Sequence, residues 1–303
     1  MGEVFWHAIL RDVPFDQYAV DPRVAAASRD PTLEQERRYV RNGRDLARYV
    51  HRDFTFQAFL NAALLLLSLG EWYLAPMPYA PRASSIRPRT ATFLTEAGFS
   101  TFGPAQVLDA VAAVANLALH AAWRQKWVLH MRLRPEAYAQ RLDRVVSRAA
   151  DYPVHTDLRD SSIREFLDNR NLLLPMAYPE GAPAHPSYPA GHAAIAGACV
   201  TVLKAFFRED EIFPAPVGPS EDGRSLQSLP AVSLTIGGEL NKLASNIAIA
   251  RDFAGVHYRS DGVEGLKLGE AVALTFLEDM RGCLTERFDG FALTSFSGQP
   301  ILI

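Results

Sequence analysis

The sequence predicts an all-α fold, one helical domain over residues 1–303 packed around at least one fully buried helix. Three observations point there. Apolar residues recur at helical spacing in segments separated by Pro/Gly loops. Strand-like alternation is scarce. The composition, 49% apolar and 21% charged over 303 residues, is ordinary for a globular protein with enough chain for a sizeable core.

Taken in order, residues 32–51 read as a surface helix, with Leu33, Tyr39, Leu46 and Tyr49 at helical spacing in a polar stretch. Residues 55–69 form a buried helix. A proline-rich loop over 74–104 follows, of a length that in compact domains is often functional. Residues 106–133 read as one long helix stopped by Pro135, because the residue before a proline is biased away from helical geometry. A polar stretch then runs to Asn171. Residues 191–207 are a strongly apolar helix, and 214–230 a polar excursion rich in Pro, Gly and Ser. Residues 235–253 and 263–280 are two more helices, and the chain ends in a short apolar tail.

Several function classes are disfavoured. A net charge of −3 gives no basic excess for a nucleic acid, though a local basic pocket for a small anion remains open. The most apolar window, 58–69, is too short to span a membrane, which takes about 20 residues. The N-terminus lacks the basic start and apolar core of a signal peptide, which leaves localisation open. Cys199 and Cys283 have neither disulfide-framework nor zinc spacing, and Cys199 reads as a small buried hydrophobe.

Three stretches concentrate cations and histidines. In 126–135, Lys126 and Arg134 stand eight apart, about 80° round a helix, with Arg134 at the break made by Pro135. Both can reach one pocket, or the run can be a solvated basic face. In 185–193, Pro189 and Gly191 precede a long apolar helix. Its free N–H groups and partial positive charge suit an anion, and His192 in the first turn can exchange a proton with it. The bland reading is a turn followed by a capping histidine. In 246–261, Arg251 and His257 are about 240° apart on a continuous helix, but Gly255 can end the helix and turn both toward one point. Otherwise they are a helix-end pair. Together, Lys126, Arg134, Arg251, His192 and His257 make a site for a multiply charged tetrahedral oxyanion, since guanidinium forks and a lysine point charge match phosphate-like oxygens.

The spacing Lys-(seven residues)-Arg-Pro, the motif His-Pro-Ser-Tyr-Pro-Ala-Gly-His and the spacing Arg-(five residues)-His resemble the vanadium-dependent haloperoxidases. They look most like the algal and bacterial bromoperoxidase branch, which shares its site architecture with type-2 phosphatidic acid phosphatases and bacterial acid phosphatases. WHAILRDVPF (6–15), NLLLPM (171–176), GACVTVLKAFF (197–207) and GELNKLA (238–244) carry the same likeness. The resemblance implies the helical bundle of that family and a chain similar to its C-terminal, catalytic half. The N-terminal half would be lost, carried on another chain, or cut off from the sequence at hand.

The resemblance further implies vanadate as cofactor and roles for named residues. His257 would ligate vanadium through a ring nitrogen. Lys126, Arg134 and Arg251 would neutralise its oxygens, and the Gly191 N–H would donate to another. His192 would face the opposite side and take a proton from hydrogen peroxide. His185 would help handle halide and protons, and Trp123 would line that pocket. Lys126 would also withdraw charge from the peroxide. The implied reaction oxidises bromide or iodide to hypohalous acid, which halogenates an organic acceptor. The same pocket also suits phosphomonoester hydrolysis. Ala190 stands where most of the family has Ser before Gly-His, so one hydroxyl donor is missing and the site is weakened or inactive. A homo-oligomer, or association with the missing half, is expected. Asp261 is left open between orienting a site group and a surface ion pair with Arg259 or Lys267.

Overall fold

The computed structural model describes residues 38–70, 74–79, 98–159, 161–162 and 172–303. Its centre is the helix α6 (Gly191–Phe206), in which every residue from Ala193 to Phe206 is buried. A helix apolar all round belongs in a core, and α6 is wrapped most extensively by α8 (Arg259–Cys283), then α3 (Pro104–Arg124), then α7 (Ile236–Phe253). The α6–α8 approach is very close. A Cβ at Gly269 would lie 2.0 Å from the Ala194 carbonyl oxygen, so only glycine fits there.

α1 (Gly43–Tyr49) is shorter and more buried than the surface helix expected over 32–51, of which 32–37 lie outside the described residues. Asn42 caps it by accepting from the Asp45 N–H, and Leu46, Ala47 and Val50 are buried. Tertiary packing overrides a polar local sequence here. α2 (Gln57–Ser68) is the expected buried helix, with Phe59, Ala62 and Leu66 fully enclosed. Of the proline-rich loop, 80–97 lie outside the described residues.

The long helix read over 106–133 is in fact two structures. α3 carries the buried stripe Val107, Ala110, Val111, Val114, Ala115 and Ala118. It then widens into a π-helical segment, Gln125–His130, that ends at Met131 in the left-handed region (φ 47°). A π turn reaches one residue further than an α turn, which redirects the side chains after Gln125. Pro135 does not only stop a helix. It starts α4 (Pro135–Val146), because a proline is tolerated at the first helical position, where no N–H is needed. The sequence reading left α4 in a polar stretch, since its face toward the body is narrow: Pro135, Ala139 and Leu142. A single turn, α5 (Thr156–Arg159), follows. The helical run 104–146 is long and apolar enough to cross a membrane by length and composition alone, a test that packed core helices also pass.

α6 and α7 start where expected, α7 under the cap of Thr235, which accepts from the Gly238 N–H. The polar excursion holds an antiparallel hairpin, β1 (Val217–Pro219) with β2 (Leu226–Ser228). The tail holds another, β3 (Ala292–Thr294) with β4 (Pro300–Leu302). These small hairpins leave the all-α class standing.

Candidate active site

The three basic stretches converge. Lys126 sits in the π-helical segment, only 1% exposed, and its Nζ donates to the carbonyl oxygens of Pro186 (2.6 Å) and Ser187 (2.9 Å) in the loop before α6. Arg134, the extended residue before α4, is also buried. Its Nη1 donates to the Val256 carbonyl at 2.7 Å and to His257 Nε2 at 3.0 Å, and its Nε to the His185 carbonyl at 2.8 Å. Its Nη2 faces the His185 ring nitrogens at 3.1 and 3.3 Å. One guanidinium therefore joins the second stretch to the third.

Arg251 closes α7. Gly255, at φ +78°, then turns the chain back, with its N–H on the Asp252 carbonyl. This brings Arg251 near enough to His257 for its charge to act on the ring. Arg251 Nη1 donates to the Val50 carbonyl (2.7 Å) and to the Tyr178 hydroxyl (3.3 Å), and its Nε is buried without a partner. Tyr178 in turn donates to the Ala47 carbonyl at 2.7 Å and stacks on His51. The segment around α1 thus holds Arg251 from behind.

His257 is almost fully buried, and its Nδ1 faces Asp261 Oδ2 at 3.0 Å. With the Nδ1 proton donated to the carboxylate, the Nε2 lone pair points into the basic cluster; Arg134 occupies it here, and a metal centre would use the same lone pair. Asp261 is itself 0% exposed, and Lys267 pairs with Glu264 instead. Of the two roles left open for Asp261, the structure gives the buried, orienting one.

Gly191 opens α6, and the first helical hydrogen bond runs from the Ala194 N–H to the Ala190 carbonyl. The preceding N–H groups therefore stand outside the ladder, and Ala190 offers no side-chain cap. His192 Nε2 lies 2.8 Å from Asp53 Oδ1, on the turn between α1 and α2. Asp53 and Tyr178 were missed from the sequence. Each lies far along the chain from the residue it holds, so no local spacing marks it. Trp123, expected to line the pocket, is 47% exposed with its ring against His120. Cys199 is buried, as its apolar run suggested, and Cys283 is exposed.

The electrostatics fit an anion site. Burial, then the charge of Arg134, pushes Lys126 down to about 7, against the pull of Asp261. Burial and Arg251 bring Arg134 down to about 10. Burial, Arg134, Lys126, Arg251 and His192 hold His257 well below its ordinary value, so its ring is neutral and its lone pair available. Burial and the same cations lower His185 to about 4. Among the described residues, no carboxylate pairs with Lys126, Arg134 or Arg251, whose partners are carbonyls, a phenol and imidazoles. Buried cations bonded directly only to dipoles, with Asp261 acting from a distance, are stabilised by a bound anion.

The chain is similar to known proteins in sequence and fold. The family described as VCPO second helical-bundle domain matches residues 106–285. Vanadium-dependent bromoperoxidases of Corallina pilulifera and Ascophyllum nodosum are 40% and 34% identical over 90% and 95% of this chain. The match covers 48% and 52% of those relatives, so the chain spans about half their length. The solved homohexameric structure of a second vanadate-dependent bromoperoxidase from Ascophyllum nodosum superposes with a TM-score of 0.74 at 32% identity, covering 88% of this chain and 49% of that one. With the helical-bundle domain matched over more than half its residues, the chain belongs to the vanadium-dependent haloperoxidase family.

Proposed function

We propose that this chain is the vanadate-binding half of a haloperoxidase that uses hydrogen peroxide to oxidise bromide or iodide, with hypohalous acid passing to an organic acceptor. One observation carries the reading. A neutral histidine, locked by Asp261 with Nε2 inward, stands among three buried cations that pair with no described carboxylate. The orphaned Nε of Arg251 adds a donor without an acceptor. These features fit a tetrahedral oxo-metalate. His257 would hold the metal, and Lys126, Arg134, Arg251 and the Gly191 N–H its oxygens.

When bound, vanadate supplies a Lewis acid that makes peroxide electrophilic toward halide. The remaining work falls to the chain. His192, with Nε2 donating to Asp53, keeps Nδ1 as the base that takes a proton from the incoming peroxide. Lys126, poised near neutrality, donates a hydrogen bond and draws off negative charge. His185, neutral at working pH and held by Arg134, presents an uncharged ring edge to halide. The relatives' names support bromide, and one neighbour's homohexameric state supports assembly with further copies.

The test is to load the protein with orthovanadate and follow peroxide-dependent bromination of a chromogenic acceptor. Vanadate-dependent bromination is expected. Phosphate-ester hydrolysis that ignores peroxide, with no halogenation, would overturn the proposal.

A further inference from the structure

We infer that Arg132 is a positioning residue for this site, acting through Asp261 to fix the orientation of His257; the inference rests on the oxyanion reading above. Arg132 lies between Lys126 and Arg134 in the sequence but is bonded to the third basic stretch. Its Nη1 donates to Asp261 Oδ1 at 2.8 Å and to Ser260 Oγ at 2.8 Å. Its guanidinium lies over the Tyr258 ring at 4.2 Å and beside the Tyr188 ring at 5.8 Å. Its carbonyl accepts from the Ser187 N–H at 2.9 Å. One residue of the first basic stretch therefore grips the second at 187–188 and the third at 258–261.

Asp261 has a split task. Oδ2 serves His257 Nδ1 and the Tyr258 N–H, while the charged partner of Oδ1 is Arg132. The Asp261 carbonyl also accepts from the Ala190 N–H at 2.9 Å, at the start of α6. Without Arg132, the buried Asp261 carboxylate would lose the charged partner of Oδ1 and be held through Oδ2 alone. With Oδ1 held, Oδ2 has one position, and His257 has one tautomer. Loss of partners behind a metal-ligating histidine typically lowers metal affinity about 10–100-fold. Lysine can keep the charge but not the planar fork and stack.

The experiment compares wild type with R132M, R132Q and R132K at one pH. Orthovanadate binding is measured by calorimetry, and the His257 tautomer by 15N-resolved NMR of the vanadate-free protein. R132M and R132Q are expected to bind about 10–100-fold more weakly and to lose the single Nδ1–H signal of His257, with R132K in between. R132Q serves if R132M does not fold. An unchanged His257 signal in folded R132Q, or no recovery from Gln to Lys, would overturn the role of Arg132. Failure of wild type to bind orthovanadate would instead count against the proposed function, and the NMR comparison would still decide the inference.

Discussion

Lys126 and Lys204 are both 1% exposed, one beside the N-terminal end of α6 and the other near its C-terminal end, yet their surroundings are opposite. Lys204 pairs with Glu209 Oε2 at 3.2 Å, donates to the Thr294 carbonyl and lies over the Phe296 ring at 5.4 Å. Glu209 completes the clamp by accepting from the Thr294 N–H at 2.5 Å, which ties β3 to the body. Lys126 has two carbonyl dipoles for partners, and burial first, then the charges of Arg134 and Arg251, bring its pKa down to about 7. A buried cation with its counter-ion is structural. A buried cation among other cations is destabilising until an anion arrives.

The largest expected effect lies in the second region. His257→Ala removes the only ring lone pair locked toward the cluster by Asp261, and bound vanadium should be lost entirely, as metal analysis after loading and desalting would show. Next come the two lysines, treated alike. Lys204→Met strands Glu209 and should lower stability by about 3 kcal/mol, at the low end for a broken buried pair because Glu209 keeps some water. Oxyanion affinity should not move. Lys126→Met should do the reverse. Thermal unfolding should be unchanged or later, while vanadate affinity falls roughly ten- to a hundredfold through one lost charged hydrogen bond, ~1.5–3 kcal/mol. Equal unfolding temperatures for the two variants would break the comparison.

The pH dependence sharpens it further. Lys126 has its ordinary value of 10.5 in the unfolded chain and about 7 in the fold. Between these values the unfolded chain holds more protons, so this residue makes stability rise with pH across that window. Below about 7 both states are protonated and the penalty is fully present. Wild type should therefore gain unfolding temperature relative to Lys126→Met from pH 7 to 10, in scans of the vanadate-free proteins. The smallest effect is expected from Ala190→Ser. It adds a hydroxyl at the start of α6, where no side chain caps the helix, and should tighten vanadate binding about tenfold by calorimetry.

Much of the site was legible because its residues are of unusual types at fixed spacings. Gly191 had to open a helix, and Gly255 had to redirect one; both do. The apolar run of α6 announced a core helix by composition alone. The π-helical turn was not legible, since its residues, Gln125 to His130, continue an ordinary helical pattern, while Lys126 within it reaches the Pro186 carbonyl 60 positions away. α4 was missed because its start at Pro135 looks like a stop.

The chain's residue order determined the helical class, the basic and histidine inventory of the site and the family pattern, because hydrophobic period and motif spacing are local properties. Only the tertiary structure decided how those residues are held. Asp53 grips His192, Tyr178 braces Arg251, and Arg132 reaches Asp261 across 129 positions of chain. Such pairings depend on which surfaces the close packing of α6 against α8 brings together, and no spacing along the chain encodes that distance.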